Sequence, residues 1–416
     1  MVMCGQKDGS TLLKKGVFST IYFAVFLCYF IQGFILTYLT NIHKPYLSSL
    51  GVSFSKIGFL SAVLVFPFVA KIPLAYVSDR YPIFKMGNRL PYILLGLLIT
   101  SCCSLFILVV SPKSHFIGFS FLLFSMSMGI ALIDASIDGF ALDVSKYGNE
   151  HIVQSVMLFS RSVAIMLSSI GFGYLIDKGN VNLIFTTISI VAGLIIVFLF
   201  GIKTKIISIK RHFQDNKNKK NFQMNKNINL MSFYGFLYCF ICWGVIEGLS
   251  SIALEKIHLF SGSKIGFYGF GRGIGMVIGA ILAGSLLKKS GLKSLLISHF
   301  LMLIGAVALI FQPLSSDLVL LSSVIWGIGF GLQMVTFTTY LVKIIDVNLS
   351  AMMFAIVIAI CNVGLSVSHW VSTSLLDIFS IQNVLSWFSL SIIPLFLISN
   401  FVFNFSAKKA NTGELT

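Results

Sequence analysis

Charge is scarce in this chain, and negative charge scarcest. Only 11% of the 416 residues are Asp, Glu, Lys or Arg, with 14 acidic against 30 basic. A soluble domain carries about 25% charged residues, so an ordinary solvated surface is excluded. Missing too are the period-two runs of a membrane barrel. No HExxH, nucleophile elbow or kinase signature occurs, so no catalysis is expected. The seven cysteines are odd in number and sit mostly in apolar runs, which argues against a disulfide framework. Cys239 and Cys242 form a CxxC spacing inside such a run with no further ligands nearby, so neither a metal nor a cofactor is expected. The net charge of +16 comes without a soluble basic face, and no nucleic-acid partner is expected.

What the chain has is apolar length. Hydrophobic residues make up 56%, forty residues are Phe, and mean hydropathy is +0.93. A bilayer span needs about 20 apolar residues. Twelve such runs are readable, near 17–39, 56–78, 90–111, 116–142, 155–177, 181–201, 231–254, 265–288, 294–312, 318–341, 351–372 and 383–404. Helices satisfy their own backbone hydrogen bonds in lipid, so an all-α membrane protein of twelve transmembrane helices is predicted. The first run is too long for a signal-peptide core of 7–15 residues and reads as an uncleaved span.

Basic residues set the orientation. With both termini in the cytoplasm, 21 Lys and Arg fall in cytoplasmic segments, 6 in outer loops and 3 within spans. That asymmetry is the positive-inside signal. The stretch KTKIISIKRHFQDNKNKKNFQMNK within 202–229 is a basic cytoplasmic linker, held near anionic headgroups. The organisation read from the sequence is a tail at 1–16, a six-helix bundle at 17–201, the linker, a second six-helix bundle at 230–404 and a tail at 405–416.

The halves echo one another. After the second span the chain reads AYVSDRYPIFKMGNR, with Asp79–Arg80, then Gly87 and Arg89; after the eighth it reads GSLLKKSGLK. This Gly–basic turn resembles the signature loop of the major facilitator superfamily (MFS), whose two pseudo-symmetric six-helix bundles enclose a central path. Residues 66–96, FPFVAKIPLAYVSDRYPIFKMGNRLPYILLG, and 133–144, IDASIDGFALDV, resemble AmpG-type muropeptide permeases and the related acetyl-CoA transporters. The resemblance implies import of anhydromuropeptide-like solutes through a bacterial inner membrane. Another metabolite (acetyl-CoA, a folate or a nutrient) is the alternative, as is a non-transporting membrane sensor with this fold. One chain supplies both bundles, so a monomeric unit is expected, with a small solute and protons as partners.

Charges inside the bilayer are costly and mark function. Asp134 and Asp138 stand four apart and so share one helix face. Lys71 and Arg161 lie at matching depth, roughly 9–10 Å from the cytoplasmic end at 1.5 Å per residue. Glu247 and Arg272 lie at similar depth below the outer side and can pair. Three acids and three bases leave no net intramembrane charge, which favours an uncharged, zwitterionic or weakly acidic solute. Asp134 or Asp138 either takes up a proton as access alternates or locks a cytoplasmic gate built from Asp79, Arg80, Gly87, Arg89 and Asp143. Burial disfavours a charged carboxylate while nearby bases favour it. Cavity-lining candidates are Tyr29 and Gln32 on the first helix, Tyr238 and Trp243 on the seventh, and Trp326, Gln333 and Thr336 on the tenth; the resemblance places helices 1, 4, 7 and 10 around the path. His299 and His369, near helix ends, read as interfacial. Gly271, Gly275, Gly279 and Ala283, spaced by four, permit close helix approach. The local GRGIG lacks the strand and Walker residues of a nucleotide loop.

Overall fold

In the computed structural model, residues 15–81, 83, 86, 89–145, 150–207, 226–311, 315–344 and 350–412 are described. Among them are twelve helices long and apolar enough to cross a bilayer: α1 Thr20–Ser49, α2 Phe54–Ser78, α3 Leu90–Ile107, α4 Phe116–Ala141, α5 Phe159–Asp177, α6 Val181–Gly201, α7 Lys226–Lys256, α8 Gly262–Leu287, α9 Gly291–Ile310, α10 Ser316–Leu341, α11 Met353–Asp377 and α12 Ile381–Phe403. An even number of crossings puts both termini on one face, here called the terminal face; the opposite one is the distal face. Two apolar cores form. One draws its buried side chains from Ile21 to Ile206, the other from Ile228 to Phe403. The twelve-helix, two-bundle architecture expected from the sequence is therefore present.

The bundles meet along two seams, α2 against α11 and α5 against α8, with the distal ends of α1 and α7 between them. Small residues make the seams tight. A Cβ on Gly58 of α2 would stand 2.9 Å from the Trp370 carbonyl of α11, and one on Gly262 of α8 would stand 2.6 Å from the Gly173 carbonyl of α5.

Besides a π-helical stretch at Cys239–Glu247 of α7, two irregularities of the first bundle shape the interior. The first helix does not stop near residue 39 as its apolar run suggests. It passes through a π-turn at Tyr38–Ile42 and continues as His43–Ser49. Pro45 falls in the first turn of that restarted segment, where its missing N–H is not needed. Helix α2 breaks at Ala70 between Pro67 and Pro73, and Lys71 opens the second segment, Lys71–Arg80. Prolines interrupt the helical ladder and kink the axis. This kink sets Lys71 beside α4.

Candidate functional site: a buried ion cluster and an interbundle network

The first bundle gathers Lys71, Asp134, Asp138 and Arg161 into one cluster. Lys71 of α2 pairs with both carboxylates of α4: its Nζ lies 2.7 Å from Asp134 and contacts Asp138. Asp134 is held from the other side by Arg161 of α5, at 3.2 Å. Arg161 also donates to the Gln32 side-chain oxygen at 2.7 Å and stacks over the Tyr29 ring, 5.3 Å from its centroid. The Tyr29 hydroxyl donates to Asp138. Helices α1, α2, α4 and α5 each contribute. The i, i+4 spacing of the acids puts both within reach of one lysine.

Local packing explains the convergence. Gly33 lets α1 touch α5, since a Cβ there would stand 2.6 Å from the Arg161 carbonyl. Gly129 and Gly96 do the same for α4 and α3. The two acids differ in setting: the Asp134 side chain is 10% exposed and Asp138 36%. Asp134 is the enclosed member and Asp138 the rim. Two donors in the cluster, Gln32 Nε2 and Arg161 Nε, are buried with no partner among the described residues.

In the second bundle, Glu247 of α7 pairs with Arg272 of α8, both deeply buried. Arg272 also donates to the Asn41 side-chain oxygen of α1 at 3.2 Å, and the Asn41 amide donates to Ser169 of α5 at 3.3 Å. This polar chain crosses the bundle interface.

Of the gate residues, Gly87 lies outside the described residues, as do the side chains of Asp79, Arg80 and Asp143. Arg89 lies at the foot of α4, its guanidinium against Gly139, and donates to Ser78 at 3.1 Å.

The cavity-lining expectations divide. Tyr29 and Gln32 join the ion cluster, and Trp243 packs edge-on against Phe330, half-buried. Trp326, Gln333 and Thr336 are placed otherwise. They are fully buried against α9, where Trp326 abuts Gly305, Gln333 accepts from Ser298 at 2.9 Å and Thr336 bonds Ser294 at 2.7 Å. The polar groups of Gln333 and Thr336 serve packing within the bundle, because α9 presents Ser298 and Ser294 to them. Tyr238 is likewise buried, between Tyr234 and Phe330. His299 and His369 are not interfacial either. His299 bonds the Leu295 carbonyl at 2.8 Å inside the bundle, and His369 faces Lys44.

Lys44 is the charge that the sequence reading missed. Placed in an outer loop by the early end assigned to the first helix, it is in fact among the most buried side chains. Its Nζ donates to the Gly248 carbonyl of α7 at 2.7 Å and lies 3.2 Å from His369 Nδ1 of α11. The balance of three acids and three bases thus omitted one buried base. A signal was available: Thr37, Asn41 and Lys44 continue one polar helical stripe past residue 39.

Two helical bundles of membrane-spanning length, a charge-compensated cluster inside one and polar contacts joining them at the distal side define a polytopic membrane protein of two-bundle architecture. The Major Facilitator Superfamily profile matches residues 19–369, and the chain belongs to that superfamily. Solved structures agree in fold. A nucleoside transporter, NupG, superposes with a TM-score of 0.72 at 12% identity, covering 93% of this chain and 99% of that one. A POT family transporter in complex with 5-aminolevulinic acid gives 0.71 at 16%, covering 94% and 96%. A D-xylose–proton symporter gives 0.70 at 13%, covering 91% and 97%. No curated protein sequence matches.

Proposed function

We propose that this MFS transporter is a proton-coupled symporter working by alternating access, with Asp134 as the coupling carboxylate. The observation that carries this reading is the position of Lys71, bridging two acids one helical turn apart while Arg161 holds one of them. A proton on Asp134 leaves Lys71 to Asp138 alone and frees Arg161 for Gln32 and for a solute acceptor. Loss of the proton restores the closed cluster. The exchange alters contacts among four helices of one bundle, the kind of change that biases a rocking motion. Asp138, at the rim and bonded to the buried Tyr29, serves the gate more than the proton.

The unpartnered donors of Gln32 and Arg161 favour a small solute bearing oxygen acceptors. Residues 66–96 and 133–144 make anhydromuropeptide-like solutes the first class to test, with nucleosides, pentoses, coenzyme A esters and folates beside them. The basic asymmetry supports cytoplasmic termini in a bacterial inner membrane, and one chain suffices as the transporting unit.

The test uses proteoliposomes and whichever panel member shifts the melting temperature of the purified protein. Asp134→Asn is expected to abolish accumulation driven by a pH gradient while leaving counterflow exchange intact. Gradient-driven accumulation at wild-type rate would remove Asp134 from the coupling role.

A further inference from the structure

The seams carry a duplicated device on the distal face. At the start of α2 the chain reads Ser53–Phe–Ser–Lys–Ile–Gly–Phe59, and at the start of α8 Ser261–Gly–Ser–Lys–Ile–Gly–Phe267. Six of the seven residues are the same, 208 positions apart. The helices that receive these segments also end alike, in Leu175–Ile–Asp177 on α5 and Leu375–Leu–Asp377 on α11.

The structure joins the copies crosswise. Asp177 of the first bundle accepts from the Gly262 N–H at 2.6 Å, the Ser263 N–H at 2.9 Å and the Ser263 hydroxyl at 2.5 Å, all in the second bundle. Asp377 of the second bundle accepts from the Phe54 N–H at 3.0 Å, the Ser55 N–H at 2.8 Å and the Ser55 hydroxyl, all in the first. Each carboxylate therefore closes the first turn of a helix that belongs to the other bundle. The exposed amides of a helix start carry partial positive charge, and a carboxylate satisfies both needs. The repeat's glycine completes the fit one turn later: Gly58 lies against the Trp370 and His369 carbonyls, and Gly266 against that of Ser169.

We infer that Asp177 and Asp377 are paired gating residues, two equivalent latches that hold the distal face of the transporter shut. Three features converge on them: near-identical sequence, identical donor sets and pseudo-symmetric crossing between bundles. Capping of its own helix would need no residue from the opposite bundle. Here the bonds form only when the bundles touch at the distal side, and they must break when that side opens. Lys44 and Asn41 lie between the two latches and bond across the same interface. The inference rests on the alternating-access reading, but not on the coupling proton or the solute.

The test measures distance between spin labels at Lys113→Cys, in the α3–α4 loop, and Asp317→Cys, at the start of α10. Both positions are exposed distal residues, one per bundle. The native cysteines are replaced, and no solute is added. Asp177→Asn and Asp377→Asn keep the side-chain shape but turn an amide donor toward the helix N–H groups. Charge-assisted bonds of this kind carry enough free energy for roughly ten-fold in an equilibrium. Each single variant is expected to raise the ratio of long- to short-distance populations by about ten-fold, and the double variant by about a hundred-fold if the latches act independently. Asn182→Ala, at an exposed distal position on α6 outside both seams, is expected to change nothing. A double variant with the wild-type distance distribution would overturn the inference, as would an effect confined to one of the two aspartates. Loss of coupling in Asp134→Asn is a separate readout, so failure of either proposal leaves the other standing.

Discussion

Glu247 and Arg272 face each other where water is nearly absent, with side chains 7% and 8% exposed. Removing one partner of such a pair strands the other charge, at a cost of about 3–5 kcal/mol, whereas replacing both with apolar groups of similar size is often neutral. Arg272→Met alone and Glu247→Leu alone are therefore each expected to lower the melting temperature sharply. The double variant should recover most of the loss, and thermal unfolding in detergent would show it. Residual destabilisation in the double variant measures the Arg272–Asn41 bond across the bundles. The pair was legible in the sequence because both residues are lone charges at similar depth in long apolar runs. Lys44 was not, since its partners are a carbonyl 204 residues away and an imidazole farther still. Neither partner announces itself as a counter-charge.

At the scale of the element, α8 and α10 make the closest approach in the second bundle. The spacing of Gly271, Gly275 and Gly279 signalled close contact but could not name the neighbour. The neighbour is α10, whose Gly327 and Gly331 interleave with them so that a Cβ on Gly275 or Gly279 would strike the Val324 or Ile328 carbonyl. Backbone cannot retreat as a flexible side chain can, and overpacking costs about 1–3 kcal/mol or more. Gly275→Val is expected to reduce membrane yield and melting temperature. Gly193→Ala in α6, with nothing within 4 Å of the added carbon, should leave both unchanged or slightly improved. Helix α1 shows the opposite limit of pattern reading. Its apolar run ends near residue 39, yet the π-turn and the tolerant position of Pro45 extend it to Ser49. Hydropathy measures contact with lipid, and this end is buried in protein instead.

For the whole molecule, twelve crossings and two bundles were readable because a run of about 20 apolar residues needs no tertiary context to declare itself. The Lys71–Asp134–Arg161 arrangement was partly readable, as matching depths on neighbouring spans; the kink that aims Lys71 was not, since it depends on how Pro67 and Pro73 divide α2. The contents of the α9–α10 interface escaped for a related reason. Polar residues in a span look alike whether they face a path or a serine of the next helix. Orientation yields a direct prediction: reporter fusions in 208–225 and after residue 416 should be active on the cytoplasmic side, and one at Lys113 on the opposite side. A fusion at Lys113 that reports with the termini would break the even count of crossings.

The crosswise aspartates have a mechanical corollary. Two attachment points, one on each seam with α1 and α7 between them, define a line across the distal mouth. Sliding one bundle past the other, or twisting it about the membrane normal, shears both attachments at once. Tilting about that line strains them least. A pair of trunnions thus leaves the terminal side free to gape while the far side stays pinned, and the opposite swing begins only after both pins have been drawn.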